Sequence, residues 1–311
     1  MKLPSISGDI WINSKPLSSD DLKGKVVLID FWTYSCINCR RTLPYLKKWW
    51  QKYKDKNFLL IGIHSPEFDF EKDSYNVGKA VEELGVNWPV VLDNDYKNWT
   101  NFSNHYWPAK YLADQNGNIV YEHFGEGAYE HTEEVIQDLL KNQGEILMPE
   151  IESEHQHGKV CFRPTPETYC GFQRGHLDNP GGYHYFEEYN YKAPEKLSVD
   201  SIALSGKFSV REQYVESAEK GARLLLNFRA TEVNLVMGPA EKEAAVGIFL
   251  NGAPLRREIY GKDVKNNEVL VGESAMYNLV KSRDPLGGIL SISAKRGNFR
   301  AYAFTFSGCN I

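Results

Sequence analysis

No apolar run in the chain approaches the roughly 18 residues that a membrane-spanning helix needs, so no membrane span is expected. The opening residues, Met1-Lys2-Leu3-Pro4-Ser5-Ile6-Ser7-Gly8-Asp9, lack the continuous apolar core of a secretory signal. That places the protein in the cytoplasm if the chain is complete as given, and in the periplasm or outside the cell if a leader was trimmed. Cysteine is scarce: five residues, at 36, 39, 161, 170 and 309, are too few and too scattered for a disulfide framework. Charge of one sign does not accumulate either. The formal net charge is -5, with no long block of like charge, and no nucleic-acid partner is expected. No internal repeat is evident.

What is present is length and patterning for more than one domain. The chain has 311 residues, 42% of them hydrophobic, so either half can bury a core. Residues 1–145 alternate strand and helix signals. A hairpin turn is expected at Asn13-Ser14, buried strands at 26–32 and 58–64, and helices over 36–54 and 72–84. A short strand at 90–92, a short helix at 96–102, strands 110–114 and 118–123 joined through Asn116-Gly117, and a closing helix at 132–141 complete an α/β domain. Residues 146–197 lose periodicity and read as a linker rich in turn residues and tyrosine. Over 198–311 short runs separated by Gly, Asn, Asp or Pro have the spacing of an all-β jelly-roll sandwich.

Cys36-Ile37-Asn38-Cys39 carries the chemistry. The run Val26-Val27-Leu28-Ile29 precedes it and the amphipathic segment from Arg40 follows, so a buried strand delivers two cysteines to the start of a helix. At that junction C-x-x-C reads as a redox dithiol. A helix N-terminus stabilises a thiolate through its unpaired N–H groups and dipole, which makes Cys36 the nucleophile and Cys39 the resolving thiol. A structural zinc site would need a second ligand pair nearby, and none follows within the next 100 residues.

Asp30 lies within the apolar strand, where a carboxyl is costly to bury without a role. A raised pKa would suit it to take the proton of Cys39. Trp107-Pro108 precedes a strand, and a cis-proline there would face the dithiol and present backbone to a substrate peptide. Glu67, on the loop after the second core strand, is a candidate second acid. Trp32, Tyr34 and Trp107 are candidates for an apolar rim around Cys36.

The segments Asp30-Phe31-Trp32-Thr33-Tyr34-Ser35-Cys36-Ile37-Asn38-Cys39-Arg40-Arg41-Thr42-Leu43-Pro44, His64-Ser65-Pro66-Glu67-Phe68 and Tyr106-Trp107-Pro108-Ala109-Lys110-Tyr111 resemble the soluble C-terminal part of the DipZ proteins, within the TlpA-like thioredoxins. Thr165-Pro166-Glu167-Thr168-Tyr169 and Ala301-Tyr302-Ala303-Phe304-Thr305-Phe306 are similar to the same family's second half. The resemblance implies a thioredoxin-like domain followed by a jelly roll of carbohydrate-binding-module type, and a thiol–disulfide oxidoreductase that acts on protein thiols and disulfides. It needs no cofactor beyond the redox-active pair Cys36–Cys39 and no metal. Its electron donor or acceptor lies outside the chain, since the membrane domain of DipZ proteins is not part of this sequence.

A sugar platform normally uses exposed aromatic faces, yet all seven tryptophans lie at or before Trp107. Only Tyr214, Tyr260 and Tyr277 remain as candidates, so packing or partner docking is the expected role of the β domain. Two alternatives stand beside thiol exchange. Thr33-Tyr34-Ser35-Cys36 also matches the T-x-x-C of peroxiredoxins, although that family has a proline where Ile29 stands here. A redox-sensing binding module is the other. His155, His157, Cys161 and Cys170 do not match a common zinc spacing, and a Cys161–Cys170 disulfide is considered for an exported protein.

Overall fold

Every residue of Val26–Trp32 is buried, which a strand achieves only near the centre of a sheet covered on both faces. The computed structural model describes residues 1–141, 150 and 162–308. They fall in two compact units, Met1–Gln156 and His157–Ile311.

The strands of the first unit are β1 (Trp11–Ile12), β2 (Val26–Trp32), β3 (Phe58–His64), β4 (Val90–Leu92), β5 (Ala109–Ala113) and β6 (Ile119–Phe124). Its helices are α1 (Ser19–Leu22), α2 (Ile37–Tyr53), α3 (Ser74–Glu83), α4 (Lys97–Asn101) and α5 (Tyr129–Lys141). The sheet order is β1-β4-β3-β2-β5-β6. β2, β3 and β4 run parallel, and the remaining pairs are antiparallel. The turn expected at Asn13 exists, with φ 66, but it closes no hairpin: β1 pairs with β4 instead. Asn13 explains the choice, because its amide donates to the carbonyls of Val86 and Trp88 just before β4.

Alternation along β2 separates two apolar clusters. Val26, Leu28 and Trp32 pack with Leu43, Leu46 and Trp49 of α2, whereas Val27, Ile29 and Phe31 pack with Phe102 and Tyr111 on the other side. Asp30 falls between Leu28 and Trp32 in that alternation, so its carboxyl shares a face with α2 and the dithiol.

The second unit is all β, as expected. Its strands are β7 (Thr168–Tyr169), β8 (Glu188–Tyr191), β9 (Ser201–Val210), β10 (Val215–Ser217), β11 (Arg223–Pro239), β12 (Ala244–Leu250), β13 (Ala253–Pro254), β14 (Glu268–Val271), β15 (Ala275–Arg296) and β16 (Phe299–Ser307). Runs that read as separate short strands fuse into β11 and β15. β11 pairs with β9 through its first half and with β16 through its second, the exchange falling at a register shift between Ala230 and Glu232. A bulge bends a strand without ending it, and sequence spacing alone cannot separate the two.

From residue 162 on, the stretch expected as a linker is built into this unit. β7 pairs with β16 and β8 with β9, and Cys170, Leu177 and Tyr191 lie in the core. The aromatic patch folds on itself, with His184 stacked on Tyr189 at 3.4 Å and Phe172 edge-on to Tyr185 at 5.0 Å. Tyr185 and Phe186 are 56% and 66% exposed, whereas Tyr214, Tyr260 and Tyr277 are each half-buried. His155, His157, Cys161 and Cys309 lie outside the described residues. Among the described residues no helix is long and apolar enough to cross a membrane, and no group of three or more His, Cys, Asp or Glu could hold a metal ion.

Gly62, in the middle of β3, lets two indoles meet over the strand. A Cβ there would fall 2.9 Å from Trp32 Nε1, 3.2 Å from Trp88 Nε1 and 3.3 Å from Val90 Cγ2. Gly62→Ala is therefore expected to cost about 1–3 kcal/mol through overpacking, read as a lower denaturation midpoint of the first unit. An unchanged midpoint would show that the indoles have room to move.

Candidate active site

Helix α2 begins one residue after Cys36 because Cys36 is itself the N-cap. Its backbone is extended, with φ -75 and ψ 118, and its Sγ accepts the Cys39 amide at 3.2 Å. A sulfur does here what a Ser or Asp oxygen does at an ordinary helix start. Arg40 Nε donates to the Tyr34 carbonyl at 2.7 Å, tying α2 back to the loop that precedes it.

The two cysteines are not equivalent. Cys36 is half-buried and Cys39 fully buried, and both are free thiols. Burial above all, with the hydrogen bond and charge of Cys36 and the charge of Asp30 behind it, pushes the Cys39 thiol well above its ordinary value. A hydrogen bond from the Thr33 backbone opposes that shift.

Beneath Cys39 the structure places a buried ion pair, only half of which was expected. Asp30 is 1% exposed, and Lys110 Nζ, 0% exposed, lies 3.5 Å from its Oδ1. The register makes them neighbours, since Asp30 is directly opposite Lys110 across β2 and β5. Neither atom has a hydrogen-bond partner among the described residues, so charge alone joins them. Burial raises the Asp30 pKa to about 6, with the Lys110 charge pulling the other way.

The peptide bond between Trp107 and Pro108 is cis, as expected. Ala109 is opposite Phe31, so Pro108 stands level with the end of β2 that leads into the dithiol loop. Pro108's carbonyl accepts the Gly125 amide at 2.8 Å, while the backbone amide and carbonyl of Trp107 have no hydrogen-bond partner among the described residues. The Trp107 indole is half-buried, donates to the Ser65 carbonyl at 3.0 Å and packs on Trp99 with centroids 4.2 Å apart.

The rim expected from Trp32 and Tyr34 is not there. Trp32 is 1% and Tyr34 3% exposed; the first points into the α2 cluster and the second stacks on His64. Trp107 alone of the three remains part-exposed. Thr33, which a peroxidase would turn toward its substrate, is fully buried, with its hydroxyl 3.3 Å from His64 Nε2. Burial holds the His64 pKa down to about 3, so its imidazole is neutral.

Glu67 is half-buried on the loop after β3. The carboxylate that reaches the dithiol loop is Glu71, four residues on, which accepts from Ser35 Oγ at 2.5 Å. Lys110 and Glu71 both escaped the sequence reading. Lys110 had a usable signal, a lysine in the middle of the apolar strand that follows the cis-proline. Glu71 had none, because an acid in a one-turn helix beside Asp69 and Lys72 reads as solvated surface.

Residues 1–140 match the redoxin family model, and residues 165–307 match that of the thioredoxin-like C-terminal domain. Protein DipZ of Mycobacterium bovis is 36% identical over 292 residues, covering 92% of this chain and 41% of DipZ. The thiol-disulfide oxidoreductase YkuV of Bacillus subtilis is 27% identical over 126 residues, covering 40% of this chain and 83% of YkuV. The solution structure of a thioredoxin-like protein in its oxidized form is 25% identical, with 45% of this chain and 95% of that one covered at a TM-score of 0.42. The chain thus spans about two fifths of the length of the DipZ protein it matches.

Removing the Lys110 charge tests the electrostatics of the pair. Asp30 titrates near 6 in the folded protein and near 3.9 when unfolded. Its contribution to stability is therefore complete below about pH 4 and is lost as pH rises toward 6. Lys110→Met removes the opposing charge, so the Asp30 carboxyl should titrate above 6 and the window of lost stability should extend upward. Carboxyl NMR titration checks this, and an unmoved Asp30 would mean the ammonium does not act on it.

Proposed function

We propose that this chain, whose two halves match the redoxin and the thioredoxin-like C-terminal domain models and which is similar to DipZ over 92% of its length, exchanges its Cys36–Cys39 dithiol for disulfides in protein substrates. The observation that carries this reading is the asymmetry of the pair: a half-buried Cys36 sulfur capping α2, and a fully buried Cys39 on the same face as Asp30.

The Cys36 thiolate attacks one sulfur of a substrate disulfide, forming a mixed disulfide and expelling the other substrate sulfur as a thiolate. Asp30 takes the Cys39 proton, the Cys39 thiolate attacks Cys36 Sγ, and the second substrate sulfur leaves. Two electrons pass from the dithiol to the substrate, which leaves Cys36 and Cys39 joined as a disulfide. A carboxyl that titrates near 6 is mostly ionised at pH 7, as a base must be. The unpartnered Trp107 amide and carbonyl offer a short strand edge to an extended peptide. That selects protein segments as substrates, and an electron donor outside the chain then reduces the disulfide again.

Cys39→Ser should accumulate covalent complexes with protein substrates, and Cys36→Ser should form none. Non-reducing gels decide the matter, and equal trapping by both variants would reverse the assigned roles.

Asp30→Asn tests the base. It should retain the rate of the first step and slow resolution by about tenfold or more at neutral pH. Single-turnover kinetics with resolution unchanged would remove Asp30 from the chemistry.

A further inference from the structure

Single exposed aromatic rings are ordinary on a protein surface, but two in contact on a fixed base are not. Such a pair stands beside the cis-proline. Phe31, Tyr111, Phe124 and Tyr106 touch in series, with ring centroids 5.7, 5.9 and 5.2 Å apart. The inner two are buried, whereas Phe124 is 44% and Tyr106 55% exposed. The outer rings thus carry the buried cluster of Phe31, Phe102 and Tyr111 out into solvent.

The backbone under Tyr106 is held as firmly as its ring. Asn104 is 1% exposed, and its side-chain amide meets Tyr106 twice: Nδ2 donates to the carbonyl at 3.0 Å and Oδ1 accepts the N–H at 3.4 Å. The same Oδ1 accepts the Tyr111 hydroxyl at 3.2 Å, so the outer ring and the inner one share an anchor. An aromatic side chain set in place beforehand loses little freedom when a ligand covers it.

What covers it follows from the next residue. Trp107 carries a backbone edge without hydrogen-bond partners among the described residues, the edge along which a substrate peptide is proposed to pair. Successive side chains of an extended peptide point to opposite faces. The reacting cysteine must face Cys36, on the side of the sheet that carries α2. Its neighbours in the peptide therefore face the other side. That is the side of Phe31 and Tyr111, and also of Phe124, which is opposite Ala109 and packs on Tyr111.

We propose that Tyr106, backed by Phe124, determines specificity in the exchange: its ring receives an apolar side chain next to the substrate's cysteine. This rests on the exchange reading, in which a peptide pairs along Trp107. An aromatic face gains by covering a leucine and gains little from a serine. The favoured substrates are therefore protein segments with a large apolar residue beside the cysteine.

The test uses the full chain, reduced, and three symmetric peptide disulfides that differ only beside the cysteine: leucine before it, leucine after it, or serine in both places. Each reaction oxidises Cys36 and Cys39 to the disulfide and releases the peptide as thiol, followed by mass spectrometry. The parent protein should consume one of the leucine peptides about five- to tenfold faster than the serine peptide. Tyr106→Ala should bring that ratio close to one, Phe124→Ala should lower it, and Tyr106→Phe should keep it. Two substrates measured on one protein share the same folded fraction, so a merely structural role would leave the ratio unmoved. A parent ratio near one, a ratio that survives Tyr106→Ala, or one that Tyr106→Phe also abolishes would each overturn the proposal. So would a parent protein that reduces bis(2-hydroxyethyl) disulfide but none of the peptides, whereas one that reduces neither would defeat the exchange reading itself.

Discussion

The 3.2 Å hydrogen bond from the Cys39 amide to the Cys36 sulfur fits both reactive atoms into one turn of helix, and the rest of the first unit keeps that turn in place. A helix cap is worth roughly 0.5–2 kcal/mol, too little to anchor a reactive loop. The anchoring comes from β2, buried along its whole length, and from Leu43, Leu46, Trp49 and Tyr53 of α2, all within the core. Each such side chain contributes on the order of 1.5–3 kcal/mol by leaving water. Packing thus sets where the helix starts, and the start of the helix sets what the sulfur meets.

Three different solutions to burying an ionisable group occur within this one site. His64 is neutral, its pKa driven down to about 3 by burial. Glu71 accepts from two stretches of chain, the Ser35 hydroxyl and the amides of Glu67 and Phe68. Asp30 has neither remedy on Oδ1, which meets only the Lys110 ammonium at 3.5 Å, and its pKa rises to about 6. The incomplete solvation of Asp30 leaves it free to gain and lose a proton near neutral pH. Burial raises the Glu71 pKa as well, with hydrogen bonds from Ser35 and the Phe68 backbone pulling it back down. Hydrogen bonding, more than residue type, distinguishes the surroundings of the two acids.

Much of this was legible in the chain. The strand-to-helix setting of Cys36-Ile37-Asn38-Cys39, the lone acid at Asp30 inside an apolar run and the Trp107-Pro108 pair are local signals, and local periodicity determines them. Three things were not legible. Lys110 becomes the partner of Asp30 only through the β2–β5 register, which no local pattern encodes. Glu71 meets the dithiol loop only because its turn brings its carboxylate to Ser35. Aromatic residues near a reactive cysteine, such as Trp32 and Tyr34, suit rim and core alike, and only the packing of α2 and His64 against them decides. In the second unit, strand counting failed where β11 and β15 continue through their register shifts.

The two-sided burial of β2 also limits how this protein can diverge. Side chains alternate along the strand, so inserting or deleting a single residue upstream of Asp30 would present Phe31 or Ile29 to α2 and turn the acid toward the cluster of Phe102 and Tyr111. The change in length would dismantle the site and the core in one event, with no partly working intermediate. Descendants can vary the side chains of β2 and can lengthen surface turns such as Asn116-Gly117, but the spacing from Asp30 to Cys36 is a fixed ruler along which relatives of this sequence can be aligned.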